Sequence, residues 1–116
     1  MARILPIRID QGATWTLGLT LVNWKEDLTG YKVRMQIRDS AQSSTVIAEP
    51  TGTITSATDR TIQFELIKEK STTIPTTGDS YNDFNEYYHD IEIEDSAGTV
   101  WRLFNGPCYV SPEVTK

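Results

Sequence analysis

The stretch Tyr87-Tyr88-His89-Asp90-Ile91-Glu92-Ile93-Glu94-Asp95-Ser96-Ala97-Gly98 decides the fold class. Up to Glu94 it alternates strictly. Tyr87, His89, Ile91 and Ile93 fall on one side, and Tyr88, Asp90, Glu92 and Glu94 on the other. A period of two is that of a strand with one face buried and one in water, whereas a helix would repeat every 3.6 residues. Asp95 then opens a turn, because its short carboxylate accepts hydrogen bonds from main-chain N–H groups just ahead of it. Gly98 closes the turn, because it takes positive φ at little cost. A strand that runs into such a turn must return antiparallel to itself.

The same alternation recurs upstream. Trp15, Leu17, Leu19 and Leu21 interleave with Thr16, Gly18 and Thr20; Tyr31, Val33, Met35 and Ile37 with Lys32, Arg34, Gln36 and Arg38; Ile62, Phe64 and Leu66 with Gln63 and Glu65. Polar and turn-forming residues separate these runs: Gln11-Gly12, Lys25-Glu26-Asp27, Thr29-Gly30, the stretch 39–44, and Ala57-Thr58-Asp59-Arg60. Strands are expected at 3–9, 14–23, 31–38, 45–49, 52–56, 60–67, 86–95 and 99–111. Pro107 lacks an N–H and is expected at an edge or a bulge. The Lys68–Thr73 segment suits a single helical turn that closes one end of the fold, and Pro75 stops it. The chain reads as one all-β domain over 1–116, with no second domain, repeat or low-complexity linker.

Composition narrows the function. The chain has 116 residues, 16 of them threonine, and a net charge of −5. Threonine favours strands because its branched Cβ is stiff in a helix. The acidic balance argues against a nucleic-acid binder, which would carry a basic patch. One cysteine excludes an internal disulfide framework and any multi-cysteine zinc site. No phosphate-binding glycine loop occurs. The N-terminus does not read as a signal peptide, and the apolar runs fall far short of the ~20 residues that span a bilayer. The expectation is a protein made in the cytoplasm, with no membrane partner.

The residues capable of chemistry read mostly as structural. His89 is the only histidine and lies on the apolar side with Ile91 and Ile93, while Asp90 points to the opposite face. It therefore lacks the orienting carboxylate of a general base. Cys108 alternates with Val110 on an inward face and reads as a small buried hydrophobe. Asp79, Asp83 and Glu86 share a loop but lack the oxygen density and the glycine of a calcium site. No catalytic, metal-ligating or cofactor-binding residue is assigned. The aromatics are more informative. Trp15, Tyr31 and Phe64 are expected in the core, Trp24 in a turn, and Tyr88 and Tyr109 on the polar sides of their strands. Tyr81 and Phe84 sit in the polar loop 77–86 and are the candidate contact residues, either for a protein partner or for stacking on a sugar.

Three stretches resemble a family of small bacteriophage particle proteins. They are Gln11–Leu21, Asp27–Arg38 with its Asp-Leu-Thr-Gly-Tyr opening, and Tyr88–Arg102, which continues to Gly106 and the Ser-Pro-Glu-Val-Thr ending at 111–115. The family is the β-sandwich module found at the N-terminus of baseplate upper proteins and in short stand-alone tail or virion proteins. The resemblance implies an immunoglobulin-like antiparallel β-sandwich of about eight strands and no enzymatic activity. It implies a structural role in the virion: a tail, baseplate or tail-fibre adaptor that docks on other virion proteins and multimerises within a symmetric particle. A capsid decoration protein and a host-surface glycan-binding module using Tyr81 and Phe84 are the alternatives. Where the family runs from a Leu-Pro turn directly into a Tyr-rich strand, Ile74-Pro75 is followed here by the longer 76–86 loop, the expected place for a protein-specific contact.

Overall fold

The computed structural model describes residues 2–114. Two sheets face each other as an immunoglobulin-like sandwich. Nine strands run, among the described residues, as β1 (Arg3–Ile4), β2 (Ile7–Asp10), β3 (Trp15–Thr20), β4 (Lys32–Arg38), β5 (Val46–Ala48), β6 (Thr51–Ser56), β7 (Thr61–Leu66), β8 (Asn85–Glu94) and β9 (Val100–Ser111), with one short helix α1 (Lys68–Ser71) between β7 and β8. The large sheet has the order β1-β9-β8-β4-β5, with β2 also paired to β9; the small sheet has the order β3-β7-β6.

The expected strand over 3–9 is two strands. The pairing lapses at Leu5-Pro6, because the donor that should meet Leu5 there is residue 107, and Pro107 has no N–H. On either side of the lapse, β1 and β2 pair parallel to β9, with Arg3 opposite Phe104 and Ile7 opposite Cys108. The sandwich is thus antiparallel except for its N-terminal strands. Pro107 itself lies not at an edge but inside β9, opposite Tyr88. The Leu5 N–H donates to the Asn105 carbonyl (2.8 Å) and the Gln11 N–H to the Ser111 carbonyl (2.9 Å). Asn105 and Ser111 therefore turn their peptide groups toward β1 and β2, and strand parity gives Pro107 the same side. Its missing N–H would have met the Leu5 carbonyl, so one ladder bond is lost there, and His89 Nε2 contacts that carbonyl instead at 2.6 Å.

The turns follow the local chemistry of the sequence. Asp95 Oδ1 accepts from the Ala97 N–H (3.0 Å) and the Thr99 N–H (2.8 Å), and Gly98 has φ 88°. Asp27 Oδ1 accepts from the Thr29 N–H at 3.1 Å. That turn drives Leu28 into the core, where its N–H donates to the Ala57 carbonyl of the β6–β7 hairpin. Helix α1 closes one end of the sandwich, as its sequence suggested. The buried Ser71 hydroxyl donates to the Ala13 carbonyl (2.7 Å) and accepts from the Gly12 N–H (3.1 Å). Gln11 ties the following segment and the C-terminal tail together, donating to the Ile74 carbonyl (2.8 Å) and accepting from the Glu113 N–H (2.9 Å).

The core lies between the sheets. The large sheet contributes Ile7, Ile9, Met35, Ile37, Ile91, Ile93, Cys108 and Val110, and the small sheet Ile62, Phe64 and Leu66. Phe64 is fully buried, as expected. Trp15 and Tyr31 are only half-buried, because β3 is an edge strand and Tyr31 precedes β4 at the end of the sandwich. Tyr31, Trp24 and Trp101 cover that end with edge-on rings, Trp24 lying 6.0 Å from Tyr31 and 5.3 Å from Trp101.

Gly52 sets how closely the sheets approach. A Cβ there would meet Phe64 Cε1 at 2.7 Å and the Val33 carbonyl oxygen of the facing sheet at 2.8 Å. The carbonyl belongs to the backbone and cannot step aside. Gly18, on the outer face of β3, has nothing within 4 Å of such a Cβ. Gly52→Ala is expected to lower stability by about 1–3 kcal/mol in urea unfolding, and Gly18→Ala to change it by no more than about 0.5 kcal/mol. Equal effects at the two positions would contradict this packing.

Candidate functional site

The face of the large sheet turned away from the core carries the exposed chemistry. Strand register arranges it in cross-strand rows. Arg38, Tyr88 and Pro107 form one row, Gln36, Asp90 and Asn105 the next, and Arg34, Glu92 and Arg102 a third. A bulge between Ile91 and Glu92 keeps Arg102 on this side while turning Trp101 to pair with Ile93. The loop 39–44 walls one flank. These rows and that loop enclose a groove of about 560 Å³.

Most of the charged heads in the groove are tied down. Arg34 donates to Glu92 (2.8 Å) and Glu94 (2.7 Å). Arg38 donates to the Ser43 carbonyl (2.7 Å) and to Gln36 Oε1 (2.6 Å), which anchors the loop to the sheet. Exposed pairs of this kind contribute at most about 1 kcal/mol each to stability; here their effect is to hold positions. Asp90 is different. Arg102 Nε approaches its carboxylate only to 3.7 Å. Desolvation pushes the Asp90 carboxyl above its ordinary value, Glu92 adds to this, and Arg102 opposes it.

An aromatic cluster continues the same face toward the 76–86 loop. In the row of Glu86 and Arg8, Tyr109 stands 6.3 Å from the ring of Phe84. The Arg8 guanidinium lies 5.1 Å above that ring, a cation–π contact worth about 0.5–1 kcal/mol at an exposed site. Tyr88 stands in the neighbouring row, between this cluster and the groove. Phe84, Tyr88 and Tyr109 all remain between 36% and 41% exposed. Of the two loop aromatics singled out from sequence, Phe84 joins this face. Tyr81 does not: the residue is 60% exposed, and it is held by its main chain, whose carbonyl accepts from the Ser111 hydroxyl at 2.6 Å. The loop is pinned at its base, where Asn85 Oδ1 accepts from the Thr77 N–H at 2.9 Å.

Sequence reasoning missed the groove. Arg34, Gln36, Asp90 and Glu92 read as the solvated side of two strands, because a single strand does not show which residue of another stands beside it. The available signal was that both strands carry polar groups of mixed sign at alternate positions.

His89 and Cys108 take the structural places expected of them. His89 is 4% exposed and contacts the Leu5 carbonyl through Nε2 at 2.6 Å. A carbonyl only accepts, so Nε2 carries a proton, and in the neutral ring Nδ1 carries none. Nδ1 is buried and has no partner among the described residues. Burial lowers the histidine pKa below its ordinary 6.5, opposed by the Leu5 contact. Burial pushes the Cys108 thiol up to about 12, which suppresses the reactive thiolate.

No protein-family model matches the sequence, and neither does any curated protein. Among solved structures, CopC from Methylosinus trichosporium OB3b aligns with a TM-score of 0.44 at 13% identity, covering 95% of this chain and 89% of that one. Murine CRIg aligns with a TM-score of 0.37 at 10% identity, covering 93% and 92%.

The His89 environment predicts a pH dependence. The unfolded chain, with histidine near 6.5, binds a proton that the folded chain resists. The His89 contribution is complete above that value and is lost as pH falls through it toward the lower folded pKa. The urea midpoint should therefore fall as pH is lowered through 6.5. His89→Gln, whose amide can still donate to Leu5, should show a shallower drop, and identical slopes would contradict the assignment. Cys108 should react with a thiol reagent only at the rate of unfolding.

Proposed function

We propose that this chain is a non-enzymatic structural protein of a bacteriophage virion, seated in the tail as a baseplate or tail-fibre adaptor. The observation that carries the reading is the exposed aromatic pair of Tyr109, on the hydrogen-bonded strand β9, and Phe84, in the loop that leads into β8. Aromatic rings held at the surface of a rigid element supply contact area with little further loss of entropy on docking, which is how a few anchors come to dominate protein interfaces. The resemblance of Gln11–Leu21, Asp27–Arg38 and Tyr88–Arg102 to small phage particle proteins supplies the context. The non-enzymatic part is supported by the only histidine being held neutral against a main-chain carbonyl and the only cysteine being a buried thiol. The partners are other virion proteins and copies of this chain in a rotationally symmetric assembly. A net charge of −5 favours basic patches on those partners and disfavours packaged DNA.

Immunogold labelling of phage particles, intact and gently disrupted, tests the placement. Gold at the tail tip or fibres is the expected result. Gold spread over the head would replace the tail adaptor with a decoration protein, and absence of gold from both preparations would end the virion reading. The docking cluster has its own test. The double variant Phe84→Ala/Tyr109→Ala should keep its circular dichroism spectrum and lose at least about tenfold in incorporation into particles, the loss expected when interface anchors worth more than about 1 kcal/mol are removed.

A further inference from the structure

We propose that the groove above Asp90 is a binding site for a neutral oligosaccharide. It is separate from the Phe84–Tyr109 cluster and does not depend on a virion location. Its volume of about 560 Å³ falls within the roughly 300–1,000 Å³ of small-ligand sites. Its floor is formed by the three hydrogen-bonded strands β4, β8 and β9, so its polar groups are already positioned before a ligand arrives.

The chemistry selects the ligand class. Arg34 and Arg38 are committed to neighbours by hydrogen bonds of 2.6–2.8 Å. They serve as walls rather than as free cations. At the centre, Asp90 and Asn105 face each other across β8 and β9. Among the described residues neither side chain has a hydrogen-bond partner, and Arg102 stands off from Asp90 at 3.7 Å. A partly desolvated carboxylate requires donors, and a side-chain amide offers donors and an acceptor together. Sugar hydroxyls both donate and accept and can satisfy the two at once. The Tyr88 ring, at the end of the groove, can cover the C–H face of a pyranose. A polyanion would meet Asp90 and Glu92, and a polycation would meet Arg34, Arg38 and Arg102. The opposed charges leave a neutral, hydroxyl-rich ligand as the one that pairs its groups without burying an unmatched charge.

The test is titration of the full 15N-labelled chain, followed by amide NMR, with neutral gluco-, galacto-, manno- and N-acetylglucosamine oligosaccharides up to about 10 mM, which detects Kd values into the millimolar range. Hexalysine and a heparin-derived oligosaccharide serve as charged probes. At least one neutral sugar should shift amides at Tyr88, Asp90 and Asn105. Asp90→Asn and Asp90→Ala should each weaken that binding at least tenfold in chains whose spectra remain dispersed, whereas Phe84→Ala should leave it unchanged. The proposal is overturned if no neutral sugar shifts the groove amides, if only a charged probe does so, or if the binding survives both Asp90 substitutions.

Discussion

Strand β8 is held between β4 and β9 in one register, and that register determines the character of both faces of the large sheet. Ile37 stands beside His89 and His89 beside Gly106; Gln36 stands beside Asp90 and Asp90 beside Asn105. Side chains alternate along a strand, so a slip of one residue would turn Tyr87, His89, Ile91 and Ile93 to water and bury Tyr88, Asp90, Glu92 and Glu94. Burying those carboxylates without partners would cost far more than the exposed ion pairs of this face return. The Asp95 turn sets the register at one end of the hairpin. Near its middle, Gly106 lies against Leu5, where a Cβ would come within 3.0 Å of the Leu5 carbonyl oxygen. His89 reaches the same carbonyl from inside the sandwich. One peptide group of the N-terminal segment is therefore contacted by both β8 and β9.

Strand existence and facing were legible from local chemistry, because alternation and turn residues act within a few residues of each other. Ile91 and Glu92 reveal their sides to any reader of the sequence, and so do Asp95 and Gly98. The short helix after β7 was legible for the same reason. Pairing was not legible. The parallel attachment of β1 and β2 to β9 joins the two ends of the chain, and no local pattern encodes which strand an N-terminal strand will meet. Pro107 shows the consequence: its missing N–H suggested an edge or a bulge, yet it lies inside β9, where the Leu5 carbonyl it would have met is reached by His89 instead. The Trp24–Tyr31–Trp101 end cover was hidden likewise, since it needs a bulge in the β8–β9 ladder as well as the β8–β4 pairing.

The candidate site divides along the same line. Phe84 could be singled out because an aromatic residue in a polar loop is conspicuous by itself. Its association with Tyr109 and Arg8, and the concavity over Asp90, come from tertiary pairing. Two kinds of surface consequently lie side by side on one sheet. The aromatic end offers area that tolerates contact with protein side chains, and the polar groove offers fixed donors and acceptors. The proposed virion adaptor would make use of the first. The second adds a chemical selectivity that simple docking does not require.

The outward chemistry of the large sheet rests on the β4–β8–β9 register, and cross-strand nuclear Overhauser effects report it directly. Asn105 turns its carbonyl toward Leu5, which makes Asp90 and Asn105 a non-hydrogen-bonded pair with closely spaced α-protons, and by strand parity Met35 and Ile91 the corresponding pair with β4. Strong Hα–Hα effects between Asp90 and Asn105 and between Met35 and Ile91 are the predicted result. Effects displaced by one residue, such as Asp90 to Phe104, would contradict the placement of every outward residue on which the function is argued.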